Sequence, residues 1–206
     1  MDSDGVSVWL QKQLKPVTKS LEKVPPETFS WVSLALAAGA GALLYFAQAQ
    51  YYPIAALPAA LLLLLRLMSD SVEEILCAQA DPNKVYNRFL IRLCARLADL
   101  SMLLGFAFWD SLRIHLVLLA IVSMLLVSYA GELGRAVGRE EAVGGLLCKA
   151  NRIILLIFFC IIYLLMPNSH VGAYSVFEVM FVLFIPLASI TLLQRMDSSL
   201  SRPPDD

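Results

Sequence analysis

FSWVSLALAAGAGALLYFAQ, residues 29–48, contains no charged side chain. A helix rising about 1.5 Å per residue crosses about 30 Å of hydrocarbon in about 20 residues, so this stretch reads as a membrane-spanning helix. It carries two overlapping pairs of small residues four apart, Ala35 with Gly39 and Ala37 with Gly41. In lipid no hydrophobic force draws helices together, and small residues favour association by letting backbones approach. Tyr51-Tyr52-Pro53, an interfacial aromatic pair followed by a helix breaker, leads into a second apolar run over Pro53–Met68. Further apolar stretches at Phe89–Trp109, Leu112–Ala130, Leu146–Met166 and Val171–Leu193 bring the expected spans to about six.

The composition of the 206 residues agrees, at 59% hydrophobic and only 16% charged. Soluble domains run at about 45–50% apolar and about 25% charged, so a soluble domain with a polar shell is excluded. With 16 basic and 17 acidic residues the net charge is −1, too balanced for a general nucleic-acid binder, and no nucleic-acid partner is expected. The predicted fold class is an all-α integral membrane bundle of about six transmembrane helices with an amino-terminal interfacial amphipathic helix.

Lysine and arginine accumulate on the cytoplasmic side of membrane proteins. Here 15 of the 16 basic residues fall on one side of the expected spans, in the segments before the first span, around the second-to-third and fourth-to-fifth connections, and after the last span; Arg113 is the exception. Both termini are therefore expected in the cytoplasm. Within residues 1–27, Val6, Trp9, Leu10, Leu14, Val17 and Leu21 recur at helical spacing with lysines between them, the pattern of a helix lying in the interface. Nothing in this segment has the apolar core and cleavage site of a signal peptide. Residues 28–195 form the expected membrane domain, and 196–206 a flexible cytoplasmic tail. Cys77, Cys94, Cys148 and Cys160 show no C-x-x-C spacing and lie where thiols stay reduced, so neither a disulfide nor a zinc site is expected. His115 and His170 lie near the opposite face.

Charges inside spans are costly and point to function. The second span continues without a break into Arg66-Leu-Met-Ser-Asp70-Ser-Val-Glu73-Glu74-Ile-Leu-Cys77-Ala78, and the third carries Arg88, Arg92, Arg96 and Asp99. Asp70 and Glu73 share a helix face, and the third-span charges follow three- and four-residue steps along one stripe. Two adjacent antiparallel helices would thus face each other through Asp70/Glu73 and Arg92/Arg96/Asp99, at the cytoplasmic end. Glu178, expected in the middle of the sixth span, should meet a partner inside the bundle.

This order of features resembles the CDP-alcohol phosphatidyltransferases, membrane enzymes of phospholipid synthesis, over roughly residues 10–195. The resemblance rests on Val24-Pro25-Pro26-Glu27-Thr28-Phe29-Ser30 opening the first span, a carboxylate cluster ending the second, and a carboxylate on the third. It continues through Ser128-Tyr129-Ala130-Gly131-Glu132-Leu133-Gly134-Arg135-Ala136-Val137-Gly138, Gly144-Gly145 and Lys149-Ala-Asn-Arg152. The family signature, D-x-x-D-G-x-x-A-R followed by G-x-x-x-D-x-x-x-D, holds a divalent metal pair against the CDP diphosphate, and its last aspartate takes the acceptor's proton. The resemblance implies metal ligation by Asp70, Glu73 and Asp99, Asp99 as base, and phosphate or headgroup binding by Lys149, Arg152 and Arg135.

Laid on the signature, Asp70 and Asp99 are the two matching residues; Glu73 is a longer carboxylate, and Glu74, Cys77, Ala78, Ala95 and Ile91 depart from it. Losing the aspartate at Ala95 removes a ligand from the cage while Arg92 and Arg96 enter the stripe. Guanidinium groups stay charged and bind carboxylates bidentately, so they are expected to stand where metal would. The leading reading is a lipid-binding or partner subunit impaired in metal and CDP binding, with membrane lipids as ligands and a homodimer or a heterodimer with a paralogue as its assembly. An active transferase is the alternative, using Mg or Mn, moving a phosphoalcohol unit from a CDP-linked lipid to an alcohol; otherwise no cofactor is expected. A small transporter is the third reading; the broken spans and inverted repeats that would favour it do not stand out.

Overall fold

Pro25-Pro26 starts the first helix, because a proline at the first helical position gives up an N–H that has no partner there in any case. The computed structural model describes residues 24–48, 52–79, 85–136, 145–167 and 170–201, with positions 13, 14, 18 and 21 of the amino-terminal segment. The interfacial helix expected over Val6–Leu21 lies almost wholly outside the described residues. Among the described residues from Val24 on, six α-helices follow: α1 (Pro26–Phe46), α2 (Ala56–Gln79), α3 (Val85–Ala107), α4 (Ile114–Ala136), α5 (Lys149–Leu165) and α6 (Val176–Ser201). A short 3-10 turn, Pro53–Ala55, leads into α2, and a two-residue hairpin, β1 (His170–Val171) with β2 (Tyr174–Ser175), precedes α6. Gly172, at φ +65°, makes its turn.

The protein is an integral membrane protein. Among the described residues four segments are long and apolar enough to span: Pro26–Phe46, Pro53–Ala78, Ile114–Gly134 and Val176–Ser198. The other two expected spans differ for physical reasons. The helix α3 carries Arg88, Arg92, Arg96 and Asp99, and α5 is only 17 residues long. Helix α6 runs on to Ser201, into the stretch expected to be loose, with the Ser198 hydroxyl donating to the Arg195 carbonyl at 2.9 Å.

Helix α1 packs against both α2 and α3, α4 against α6, and α2 against α5. The small residues of α1 divide between two neighbours. Gly39 faces the Leu62 side chain of α2, whereas a Cβ on Gly41 would run into the Ser101 carbonyl of α3, and one on Gly105 into the Gly41 carbonyl. The α1–α3 crossing is thus backbone on backbone, which two glycines alone permit. Helices α2 and α3, expected to be adjacent, are instead both held by α1, and side chains bridge between them.

At one end of the bundle, aromatic side chains finish α1. The last carbonyls of a helix lack intrahelical donors; the Trp109 indole N–H donates to the Leu44 carbonyl at 2.9 Å, and the Tyr163 hydroxyl to the Ala47 carbonyl at 2.7 Å. Phe106, Trp109, Tyr163 and Phe177 stack with centroids 4.6–5.6 Å apart, and all four are buried. Nearby, Glu178 lies in the first turn of α6 rather than mid-span. It accepts from the backbone N–H groups of Arg113 at 3.2 Å and Ser175 at 2.9 Å, while the Arg113 guanidinium lies 4.7 Å over the Tyr174 ring.

Candidate functional site

The opposite end is built on charge. Arg66 interrupts a leucine run on α2 and is fully buried. Its Nη2 donates to Asp99 Oδ1 at 2.5 Å, its Nη1 to Met102 Sδ at 3.3 Å, and its Nε lies 3.7 Å from Asp70 Oδ2, one turn on along the same helix. One guanidinium therefore spans the gap between α2 and α3. Asp99, 2% exposed, also meets Arg152 Nη2 of α5 at 3.2 Å and Arg96 Nη1 at 3.7 Å. Three guanidinium groups surround this carboxylate.

Asp70 is buried as well. Ser33 of α1 donates its hydroxyl to Oδ1 at 2.6 Å, and Lys149, the first residue of α5, places Nζ 3.1 Å from the same oxygen. Glu73 is buried one turn further along α2 and feels the Lys149 charge together with Asp70, while Glu74 faces outward. The cluster joins α1, α2, α3 and α5, so residues far apart in sequence meet at one level of the bundle.

The sequence-predicted residues do not all arrive there. Asp70, Glu73, Asp99 and Arg96 do, joined by Lys149 and Arg152. Arg92 does not: it pairs with Glu132 of α4 at 3.0 Å and is partly exposed. Its expected place is taken by Arg66 and Arg152. The Arg135 side chain lies outside the described residues. Arg66 was counted by sequence only toward orientation, although a charge four residues before Asp70 in a leucine run is the costly feature that marks a site.

The described part of the Ser128–Gly138 stretch works through arginines. Ser128 accepts a short hydrogen bond from Arg96 Nη1, and Glu132 holds Arg92. The Arg195 guanidinium donates to the Val127 carbonyl at 2.9 Å, in space that a Cβ on Gly131 would occupy. Gly145, at φ +130°, lets the chain lie against Thr191, whose hydroxyl accepts from the Leu147 N–H at 2.9 Å just before α5. This glycine sets where Lys149 and Arg152 enter.

The donor set decides whether a divalent cation fits. A hard cation needs several unengaged oxygens converging on it. Asp70 and Asp99 already lie within 3.7 Å of Arg66, Arg96, Lys149 and Arg152, so four cationic groups face the three carboxylates Asp70, Glu73 and Asp99. Arg66 Nε, Arg96 Nε, and Arg152 Nε and Nη1 are buried without a hydrogen-bond partner, and so are Asp70 Oδ2 and Asp99 Oδ2 beside them. Four such N–H donors stand against two such oxygens, and the cations beside those oxygens carry the wrong sign for a metal. Among the described residues no three His, Cys, Asp or Glu side chains are placed to share one. The residues present do not fit a metal pair.

No family model and no curated protein matches this sequence. Solved structures do match it in shape. Phosphatidylinositol phosphate synthase of Mycobacterium tuberculosis with CDP-DAG bound superposes with a TM-score of 0.67 at 15% identity, over 96% of this chain and 95% of that one. The same synthase in complex with manganese and citrate gives a TM-score of 0.68 at 15% identity, over 96% and 90% of the two chains. The architecture that the order of spans, carboxylates and glycines pointed to is therefore present along nearly the whole chain, which has the fold of a CDP-alcohol phosphatidyltransferase.

Proposed function

We propose that this chain is a membrane protein of phospholipid metabolism in which the place for a metal-bound CDP diphosphate has become an internal salt-bridge cluster. It acts as a lipid-binding or partner subunit, as a homodimer or beside a paralogue that retains the metal site. The observation that carries this reading is the ring of Arg66, Arg96 and Arg152 around Asp99. Such a ring neutralises the carboxylate from within the protein, which keeps the geometry of the bundle while removing the need for a bound cation. Asp99 would then be a structural carboxylate, because a group held by three guanidiniums is a poor acceptor for a substrate proton. The basic-residue bias supports cytoplasmic termini, with this cluster near the cytoplasmic face.

Thermal unfolding of the purified protein with CDP-diacylglycerol or CMP, with and without manganese or magnesium, tests the reading. A ligand at a hundred times its Kd stabilises by about 2.7 kcal/mol, so metal-dependent binding would be plain. The expected result is no metal-dependent shift and no turnover with CDP-linked donors. A metal-dependent shift accompanied by turnover that Asp99→Asn abolishes would establish the active transferase instead. The likeness to a synthase structure holding CDP-DAG favours that second reading.

A further inference from the structure

Away from the buried cluster, between the first half of α3 and the last turns of α4, lies a groove of about 540 Å³ lined by Arg88, Phe89, Arg92, Leu93, Arg96 and Glu132. That volume is in the range of about 300–1,000 Å³ typical of small-molecule sites. Three arginines face one carboxylate, and Glu132 is engaged by Arg92. Arg96 spends part of its charge on Asp99, which Arg66 and Arg152 already hold, and Arg96 Nε is buried without a hydrogen-bond partner. Arg88 is exposed and pairs with no carboxylate among the described residues. The groove is thus net positive. It is also apolar along one edge, where Phe89 and Leu93 are 66% and 43% exposed.

Positive charge beside exposed apolar side chains on a membrane helix is costly without a counter-ion. Arg88 and Arg92 are four residues apart, so their side chains leave one helix face with Cβ atoms about 5–6 Å apart. Planar guanidiniums grip phosphate oxygens in pairs. We propose that this groove holds the phosphate of an anionic phospholipid from the surrounding bilayer, gripped by Arg88 and Arg92, with Phe89 and Leu93 against its glycerol and upper acyl chain. A second copy of the chain is a poorer occupant, because a two-fold interface sets the same patch against itself and would oppose like charges. The site goes beyond the function proposed above, shares only Arg96 with the carboxylate cluster, and does not depend on whether that cluster turns over a CDP-linked lipid.

Native mass spectrometry of the full chain titrated with dioleoylphosphatidylglycerol or dioleoylphosphatidylcholine tests it. One surface charge changes anionic-lipid affinity about fivefold, so Arg88→Gln is expected to lower the preference for phosphatidylglycerol about fivefold. Arg88→Gln with Arg92→Gln should abolish the preference, Arg88→Lys should largely keep it, and millimolar inorganic phosphate should not displace the lipid. Equal preference in wild type and Arg88→Gln would overturn the proposal; so would displacement by phosphate alone, or a lipid-free dimer cross-linked through Phe89→Cys. If loss of Arg92 unfolds the chain, the Arg88→Gln comparison decides by itself, since Arg88 is exposed and makes no hydrogen bond or ion pair among the described residues.

Discussion

The two ends of this bundle meet the same physical demand in opposite ways. At the Trp109 end, the buried carbonyls of Leu44 and Ala47 are satisfied by an indole N–H and a phenolic O–H inside an aromatic cluster. At the Asp99 end, buried carboxylates are satisfied by guanidinium and ammonium groups from three helices. The neutral solution closes on both carbonyls, with the indole and the Ala47 N–H on Leu44 and the phenol on Ala47. The ionic one leaves four donors and two carboxylate oxygens over, because each guanidinium brings five N–H groups in a fixed fork that the oxygens present do not match. Neutral closure makes a rigid cap, whereas ionic closure makes an environment whose charge depends on every member.

If that contrast is right, the ends should fail differently. The largest effect is expected at Arg66→Met, which strips the bridge between Asp70 and Asp99 and breaks two buried ion pairs at once. A loss of about 3–5 kcal/mol is typical of such a break, read by unfolding in detergent or bicelles. Adding Asp99→Asn should recover part of that loss. A single variant no less stable than wild type would mean that the two ends do not differ in kind.

At the aromatic end, Trp109→Phe keeps the ring but removes the N–H from the Leu44 carbonyl. The expected cost is about 0.5–1.5 kcal/mol, the net worth of one hydrogen bond, because the Leu44 carbonyl keeps the Ala47 N–H at 3.1 Å, and no second substitution among charged residues should rescue it. The smallest effect is expected at Arg92→Gln. Its pairing with Glu132 is partly exposed, and such ion pairs contribute about 0–1 kcal/mol. A loss as large as that of Arg66→Met would place Arg92 inside the cluster after all.

The helices, the small-residue stripe of α1 and the convergence of Asp70 with Asp99 were legible from spacing alone, because apolar runs and three- and four-residue steps define length and face. What spacing does not define is height. Arg92 and Asp99 lie on one face of α3, but seven residues separate them, about 10 Å along the axis. At Arg92's level the facing carboxylate is Glu132 of α4. Nor does a face reveal which helix opposes it. With α1 packed against both α2 and α3, only a side chain as long as that of Arg66 bridges the two. Lys149 and Arg152 carried a phosphate-binding expectation from family resemblance, and their place beside Asp70 and Asp99 needed the turn at Gly145.

Gly41 and Gly105 make the α1–α3 crossing the least negotiable element of the chain. A side-chain partnership can drift, because a change on one side is answerable by a change on the other, as the replacement of a metal cage by arginines would require. At the crossing each glycine faces a carbonyl oxygen, and the backbone offers nothing to mutate in reply. The charged end is therefore free to change its chemistry over evolutionary time while the crossing holds Ser33 and Asp99 to one frame. Among distant relatives of this fold, small residues at these two places should outlast the carboxylates.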